Sequence, residues 1–252
     1  MGAIMSDNKR IAAFFDIDGT IYREGLITEV FKKMVRNELI SADRWIDEVQ
    51  PAFMAWDRRQ GDYDDYLSRM VEIFKEVTPG MSSEQIEFIA NKVIEQKGER
   101  VYLFTRNEIK RHKKAGHLII AISGSPDALV KRMAEKYGFD DWRGTVYEVD
   151  ENGFYNGNII PMWDSASKEK AIRQLARKYD LDLSECYSYG DTNGDLAMLK
   201  MTGHPTAINP TRELIGHLIE LEDLKNRVKI VVERKDVIYD IDPNHLNLID
   251  LK

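Results

Sequence analysis

The sequence predicts an α/β protein: a parallel sheet with helices on both faces, interrupted by an all-helical segment. Three observations carry this. Ile11-Ala12-Ala13-Phe14-Phe15 is an unbroken apolar run that ends in Asp16-Ile17-Asp18-Gly19-Thr20, as a short strand buried on both faces ends at a polar turn. From Glu99 onward, strand-like and helix-like stretches alternate, the pattern of a parallel sheet with crossover helices. Between these regions, apolar residues recur at helical spacing with no strand pattern. The expected organisation is a discontinuous core, residues 1–22 and 112–252, and a helical unit, residues 23–111.

In chain order, Met1 to Arg10 reads as a loose lead-in without the apolar segment of a secretory signal. After the first strand, Ile27, Val30, Phe31, Met34 and Val35 mark one face of an amphipathic helix. Trp45, Val49, Phe53 and Trp56 make a less regular second helix, and Asp57 to Asp62 is a polar break. Tyr63, Tyr66, Leu67, Met70, Val71, Phe74 and Val77 form the cleanest helical stripe, stopped by Thr78-Pro79-Gly80. Ser82 or Ser83 caps a further helix through Ile86, Ile89, Ala90 and Val93. The aromatics of this segment read as its own core rather than a cofactor box.

A helix from Arg100 to Lys114 ends at Gly116, and His117 to Ile122 is a second buried strand closed by Ser123-Gly124-Ser125. Pro126 opens the next helix at its first position. Thr145 to Val149 and Phe154 to Ile159 flank Asp150-Glu151-Asn152-Gly153 as a hairpin. There follow a helix from Lys168 to Tyr179, a strand Cys186 to Tyr189, the loop Gly190-Asp191-Thr192-Asn193-Gly194-Asp195, a helix through Leu196 and Leu199, and a strand Pro205 to Ile208. Val228 to Val232 and Val237 to Ile241 form a last hairpin at a sheet edge, with no legible role.

Composition narrows the function. The 252 residues suit one large domain or a core with a smaller unit, and a hydrophobic fraction of 43% supplies a packed interior. A net charge of −7 disfavours a nucleic-acid partner and suits a site that gathers divalent cations. The single Cys186 excludes an internal disulfide and fits the cytoplasm. No apolar run approaches the roughly 20 residues that span a bilayer, so no membrane partner is expected.

The chemistry lies at the strand ends, where parallel sheets bind ligands. Three strands end in polar, glycine-bearing turns, at Asp16, Ser123 and Asp191. Alone, D-x-D-G-T reads equally well as an exposed turn. If the strands are neighbours, Asp16, Asp18, Asp191 and Asp195 meet, too many carboxylates to ionise together without a cation. Hard oxygen donors in small number suit Mg²⁺. Ser123, with the Gly124 and Ser125 amides at a helix start, makes an anion site. Lys168 adds positive charge. A cation, an anion site and an attacking carboxylate describe phosphoryl transfer through an aspartyl-phosphate, with Asp16 as nucleophile and Asp18 moving protons. His112, His117 and His204 lack metal-like spacing.

These stretches, Phe15 to Thr20, Ile122 to Ser125, Lys168, and Gly190 to Asp195, resemble in order the four motifs of the haloacid dehalogenase superfamily, over about Ala12 to Pro210. The resemblance implies a Rossmann-like core, a helical cap between the first two motifs, and a Mg²⁺-dependent phosphatase acting on a small phosphorylated metabolite. It implies phosphate on Ser123, Gly124 and Lys168, metal on Asp16, Asp191 and the Asp18 carbonyl, and Asp195 in support. The second Asp, Asp18, marks phosphatase members. The helical cap and the S-G-S motif resemble the phosphoserine-phosphatase branch. Yet Gly25 stands where that branch has an acid, Met70 where it has an arginine, and Asn193 is separated from Asp195, so phosphoserine itself is disfavoured. Transfer to an alcohol, or phosphate binding without catalysis, are the competing functions.

Overall fold

β1 (Ala12–Phe15) forms where its apolar run requires burial on both faces, and it lies wholly buried in an eight-stranded sheet. The computed structural model describes residues 9–61 and 63–249. The lead-in up to residue 8, Asp62 and the side chain of Tyr63 lie outside the described residues. The other strands are β2 (Leu118–Pro126), β3 (Asp141–Val149), β4 (Tyr155–Ile160), β5 (Tyr187–Gly190), β6 (His204–Ile208), β7 (Lys229–Arg234) and β8 (Val237–Ile241). Their order is β4-β3-β2-β1-β5-β6-β7-β8, parallel from β3 to β7, with antiparallel β4 and β8 at the edges. β1 lies between β2 and β5, so the strand order reverses beside it and opens a crevice at its C-terminal end.

The insertion contributes α1 (Leu26–Arg36), the single turn α2 (Ala42–Arg44), a π-helical turn (Trp45–Val49), α3 (Gln50–Asp57), α4 (Tyr63–Val77) and α5 (Ser83–Lys97). The remaining helices are α6 (Leu103–Ala115), which the expected boundary between residues 111 and 112 divides, α7 (Asp127–Tyr137), α8 (Ser165–Tyr179), α9 (Leu196–Met201), α10 (Arg212–Glu220) and α11 (Glu222–Lys225). Alternation along β1 sends Phe15 to a cluster with the insertion and Ile109, Leu129 and Met133. Phe14 goes to the opposite cluster, with Ile172, Leu175 and Met198. No helix among the described residues is long and apolar enough to cross a membrane.

The predicted stripes are buried: Ile27, Val30, Phe31 and Met34 on α1, Tyr66, Met70 and Phe74 on α4, and Ile86, Ile89, Ala90 and Val93 on α5. Trp45, Phe53, Trp56 and Tyr66 touch in succession, their ring centroids 5.3–6.1 Å apart. They serve as the segment's own core, yet Phe53, Trp56 and Tyr66 also line the main cavity. The two linkers of the insertion run side by side: Arg23 N–H donates to Arg100 O at 3.0 Å and Tyr102 N–H to Ile21 O at 2.9 Å. The insertion is also tied to the β3–β4 hairpin, where Tyr155 N–H donates to Met81 O at 3.0 Å and Gly80 N–H to Tyr155 O at 2.8 Å.

Several boundaries move; α8, for one, starts at Ser165 rather than Lys168. β2 runs on to Pro126, which pairs with Thr145 after a register shift, so Pro126 is the N-cap and α7 starts at Asp127. β3 begins at Asp141 because its first residues pair with β2 in parallel before the hairpin begins. Asp141 fastens β3 to α8, accepting from Arg143 at 2.7 Å, Lys178 at 2.8 Å and Tyr179 at 2.9 Å. Burial pushes its carboxyl up, but these donors outweigh burial and hold it down at about 2. A depressed carboxylate stabilises the fold above its unfolded pKa and loses that contribution as pH falls through the folded value. Asp141→Asn is therefore expected to cost about 1–2 kcal/mol at pH 7, discounted for partial exposure. The difference in urea unfolding should shrink from about pH 4 to pH 2.

α6 begins at Leu103 rather than Arg100, and the cause lies in the C-terminal hairpin. Buried Glu233 on β7 accepts from Leu103 N–H at 2.9 Å and Phe104 N–H at 2.8 Å, and Arg23 lies 3.5 Å from it. The hairpin thus caps the helix that leads out of the insertion. Glu233→Ala removes the acceptor of two part-buried amides at the start of α6 and is expected to cost about 1 kcal/mol in urea unfolding.

Candidate active site

The strand-end turns converge as the sequence predicts. β1 ends one residue before Asp16, whose N–H donates to Tyr189 O on β5 at 2.9 Å. Gly19 takes φ +77°, and a side chain there would collide with Asp191, so only glycine lets the two turns approach. Asp16, Asp18, Ser123, Gly124, Lys168 and Asp191 all line one cavity of about 910 Å³. Its walls come from the helical insertion and from Trp163.

Lys168 is buried rather than a surface lysine. Asp164 caps α8 by accepting from Ser167 N–H, which sets Lys168 on the first turns facing the sheet. Its Nζ donates to Asp16 Oδ1 at 2.7 Å and to Asp195 Oδ1 at 2.5 Å. Asp195 Oδ2 accepts from Asp191 N–H at 3.0 Å and Thr192 N–H at 3.1 Å, fixing the loop around the acids. Asp195 thus folds back to shape its loop; although it stands at the start of α9, its side chain caps nothing there.

One carboxylate oxygen from each of Asp16, Asp191 and Asp195 lies within 4.8 Å of the others, and the Asp18 carboxylate accepts hydrogen bonds elsewhere. Asp18 Oδ1 accepts from Leu26 N–H at 2.8 Å and Oδ2 from Ser125 Oγ at 2.5 Å. Gly25, the N-cap of α1, has no side chain to offer, and Asp18 takes its place. The first helix of the insertion is thereby bonded to a candidate catalytic acid.

Burial raises the pKa of three of these acids. Burial pushes Asp16 up to about 8, with Asp195 and Asp18 adding to the rise and Lys168 opposing it. Asp191 is raised by burial and by Asp195 and Asp16. Asp18 is raised by burial, against the hydrogen bonds from Ser125 and Leu26. Lys168 is raised by both carboxylates despite its burial. A cluster of hard oxygen donors that cannot comfortably ionise together is a donor set that fits Mg²⁺.

Some placements differ from expectation. Lys168, expected to bind phosphate, donates here to two carboxylates. The Ser125 amide donates to Ser123 Oγ at 3.3 Å within β2, and the helix starts only at Asp127, with Pro126 as its N-cap. The sequence reading missed Thr20, which donates to Asp191 Oδ1 at 3.0 Å, and the bond from Ser125 to Asp18. Short-range spacing could have raised Thr20; Ser125 needed the fold. His112, given no role, is wholly buried, its Nε2 2.8 Å from Tyr189 Oη, and burial with neighbouring Arg111 pulls it down to about 3.

Residues 13–200 match the haloacid dehalogenase-like hydrolases, spanning the first strand, the insertion and the Asp191 loop. The chain belongs to that family. Among curated relatives of this hydrolase chain, an inhibition of morphological differentiation protein of Streptomyces azureus is 28% identical over 206 residues, 81% of this chain and 74% of the relative. A probable phosphatase of Mycobacterium tuberculosis is also 28% identical over 206 residues, covering 81% and 71%. Among solved structures, a protein of unknown function from Bordetella pertussis superposes with a TM-score of 0.67 at 17% identity, over 84% of this chain and 95% of that one. A substrate-bound phosphoserine phosphatase superposes at 0.58 with 18% identity, over 91% and 95%. These structures establish the haloacid dehalogenase-like fold for the chain.

Proposed function

We propose that this enzyme hydrolyses a small phosphate monoester through an aspartyl-phosphate on Asp16. The observation that carries the reading is the division of labour between two carboxylates two residues apart. Asp16 sits against Lys168 and the acidic cluster; Asp18 is hydrogen-bonded away from it, with its pKa raised by burial. The phosphatases among its relatives support the same reading.

Asp16 attacks phosphorus, the P–O bond to the alcohol breaks, and Asp18 gives its proton to the departing oxygen. Asp18, now anionic, takes a proton from water as that water attacks phosphorus. The Asp16–phosphate bond breaks, releasing phosphate and restoring both acids. Burial shifts Asp18 in the direction a proton donor needs. Lys168, Ser123 and the Gly124 backbone hold the phosphoryl oxygens. Ser125 and Leu26 N–H keep Asp18 aimed. Asp16, Asp191 and the Asp18 carbonyl, with Asp195 beside them, would hold Mg²⁺, which would supply positive charge to the phosphoryl oxygens. The insertion acts as a cap that excludes water and selects the alcohol, with α6, packed on the sheet through Ile109, on the core side. The buried free thiol of Cys186 suits action in the cytoplasm.

Phosphate release from generic monoesters by the purified chain tests the reaction. Added alcohols should leave the phosphate yield per ester unchanged; diversion into new esters would favour transfer instead. Mg²⁺ should raise the melting temperature, more at pH 8 than at pH 6, because cation and protons compete for raised carboxylates. A melting temperature indifferent to Mg²⁺ at both pH values would remove the metal from the reading.

A further inference from the structure

The floor of the main cavity is charged, but much of its wall is apolar. Phe53 and Trp56 from α3, with Leu67 and Val71 from α4, line it. Trp56 is itself braced by Tyr66, stacked at 5.8 Å with a 10° angle between the rings. Trp163, on the loop before α8, borders the same cavity beside the catalytic turns. Its backbone is wedged between two glycines: a Cβ on Gly124 would lie 2.9 Å from the Trp163 Cβ, and one on Gly194 2.6 Å from its carbonyl oxygen. The main chain is fixed, yet the side chain remains exposed, with the residue at 40%. Lys75 of α4 reaches over this indole at 4.8 Å, so the insertion and the core meet there.

Charged side chains also line this cavity, Lys32, Asp57, Lys75 and Glu213 among them, but two candidates for holding an amino acid are paired elsewhere. Glu24 is gripped by Arg100 through both oxygens, at 2.7 and 3.3 Å. Arg69 pairs with Glu72, and Met70 is wholly buried among the insertion's own side chains. A cavity of about 910 Å³ also lies near the top of the roughly 300–1,000 Å³ range that encloses drug-sized ligands.

We infer that this enzyme takes a phosphate monoester whose organic part is extended and apolar, an aromatic ring system or an alkyl chain, laid between the Trp56 wall and Trp163. This rests on the phosphatase reading above. Such a group replaces water on the apolar wall and needs no paired ammonium and carboxylate handles.

The test compares kcat/KM for ethyl phosphate, phosphoserine, 1-naphthyl phosphate and n-octyl phosphate with the full chain and Mg²⁺. Naphthyl or octyl phosphate should exceed both small esters by at least about tenfold, and which of the two leads tells ring from chain. Trp163→Ala and Val71→Asp should each shrink that ratio about tenfold, with folding checked by melting temperature. Binding of 1-naphthylphosphonate against ethylphosphonate, neither of which can be turned over, reads the same preference without catalysis. Equal efficiencies, or a preference for phosphoserine, would overturn the inference and leave the phosphatase intact. Tight naphthylphosphonate binding with no ester hydrolysed would instead overturn the phosphatase and leave the apolar site standing. Equal binding of the two phosphonates would overturn the inference whatever the turnover.

Discussion

Asp16→Asn is expected to lower phosphate release at least ~10³-fold while the protein stays folded. Asparagine matches the carboxylate in shape and keeps an oxygen for Lys168, which Asp195 also holds at 2.5 Å. What is lost is the anion proposed to attack phosphorus. The stability of the variant gives an independent check. Asp16 is raised to about 8, so its ionisation opposes folding as pH rises from the unfolded carboxylate value toward the folded one. Removing that charge should leave the metal-free variant as stable as the parent at pH 4 and no less stable at pH 8. Melting in chelator at both pH values, beside turnover in Mg²⁺, separates a chemical defect from a folding defect. Near-normal turnover by a folded variant would end the nucleophile assignment.

The site was legible where chemistry is carried by adjacent residues and illegible where it is carried by the fold. Asp16 and Asp18 stand two apart in sequence, and an apolar strand before them places them at a crevice. Ser123, Lys168 and Asp191 could be added because each lies at the end of a strand or the start of a helix. The role of Asp18 as the cap of α1 could not be read, because it follows from Gly25 having no side chain and from the path of the linker. Glu233 shows the same limit. Nothing in a charged hairpin turn announces that its carboxylate meets two amides 129 and 130 residues away. The insertion's helices were plain from their stripes, yet aromatic periodicity could not tell a packing ring from a wall ring. Phe53, Trp56 and Tyr66 are both, because the cluster reaches the cavity from one side. Trp163 stood outside any periodic pattern, and only its contact with Gly124 and Gly194 reveals it as fixed.

Lys168→Met should have the largest effect on stability. The ammonium lies between Asp16 and Asp195, each within hydrogen-bonding distance and all three buried. Methionine fills much of the stem's volume but leaves two carboxylates beside a third, Asp191, with their cation gone. Breaking a buried ion pair by removing one partner typically costs about 3–5 kcal/mol. The carboxylates can limit that cost by taking up protons, and protons are scarcer at higher pH. Urea unfolding in chelator should therefore show a loss that grows from pH 5 to pH 8. Mg²⁺ should return part of it, since a cation among the same oxygens relieves the same repulsion. Phosphate release in saturating Mg²⁺ should still fall about 10²-fold or more, because the metal does not replace the donor proposed to hold the phosphoryl oxygens. Arginine should not rescue the site: its planar fork is wider than the space between oxygens 2.7 and 2.5 Å from a single nitrogen. Equal stability of parent and Lys168→Met in chelator at pH 8 would mean that the acids are already neutral without the lysine, and that the charge balance drawn for this site is wrong.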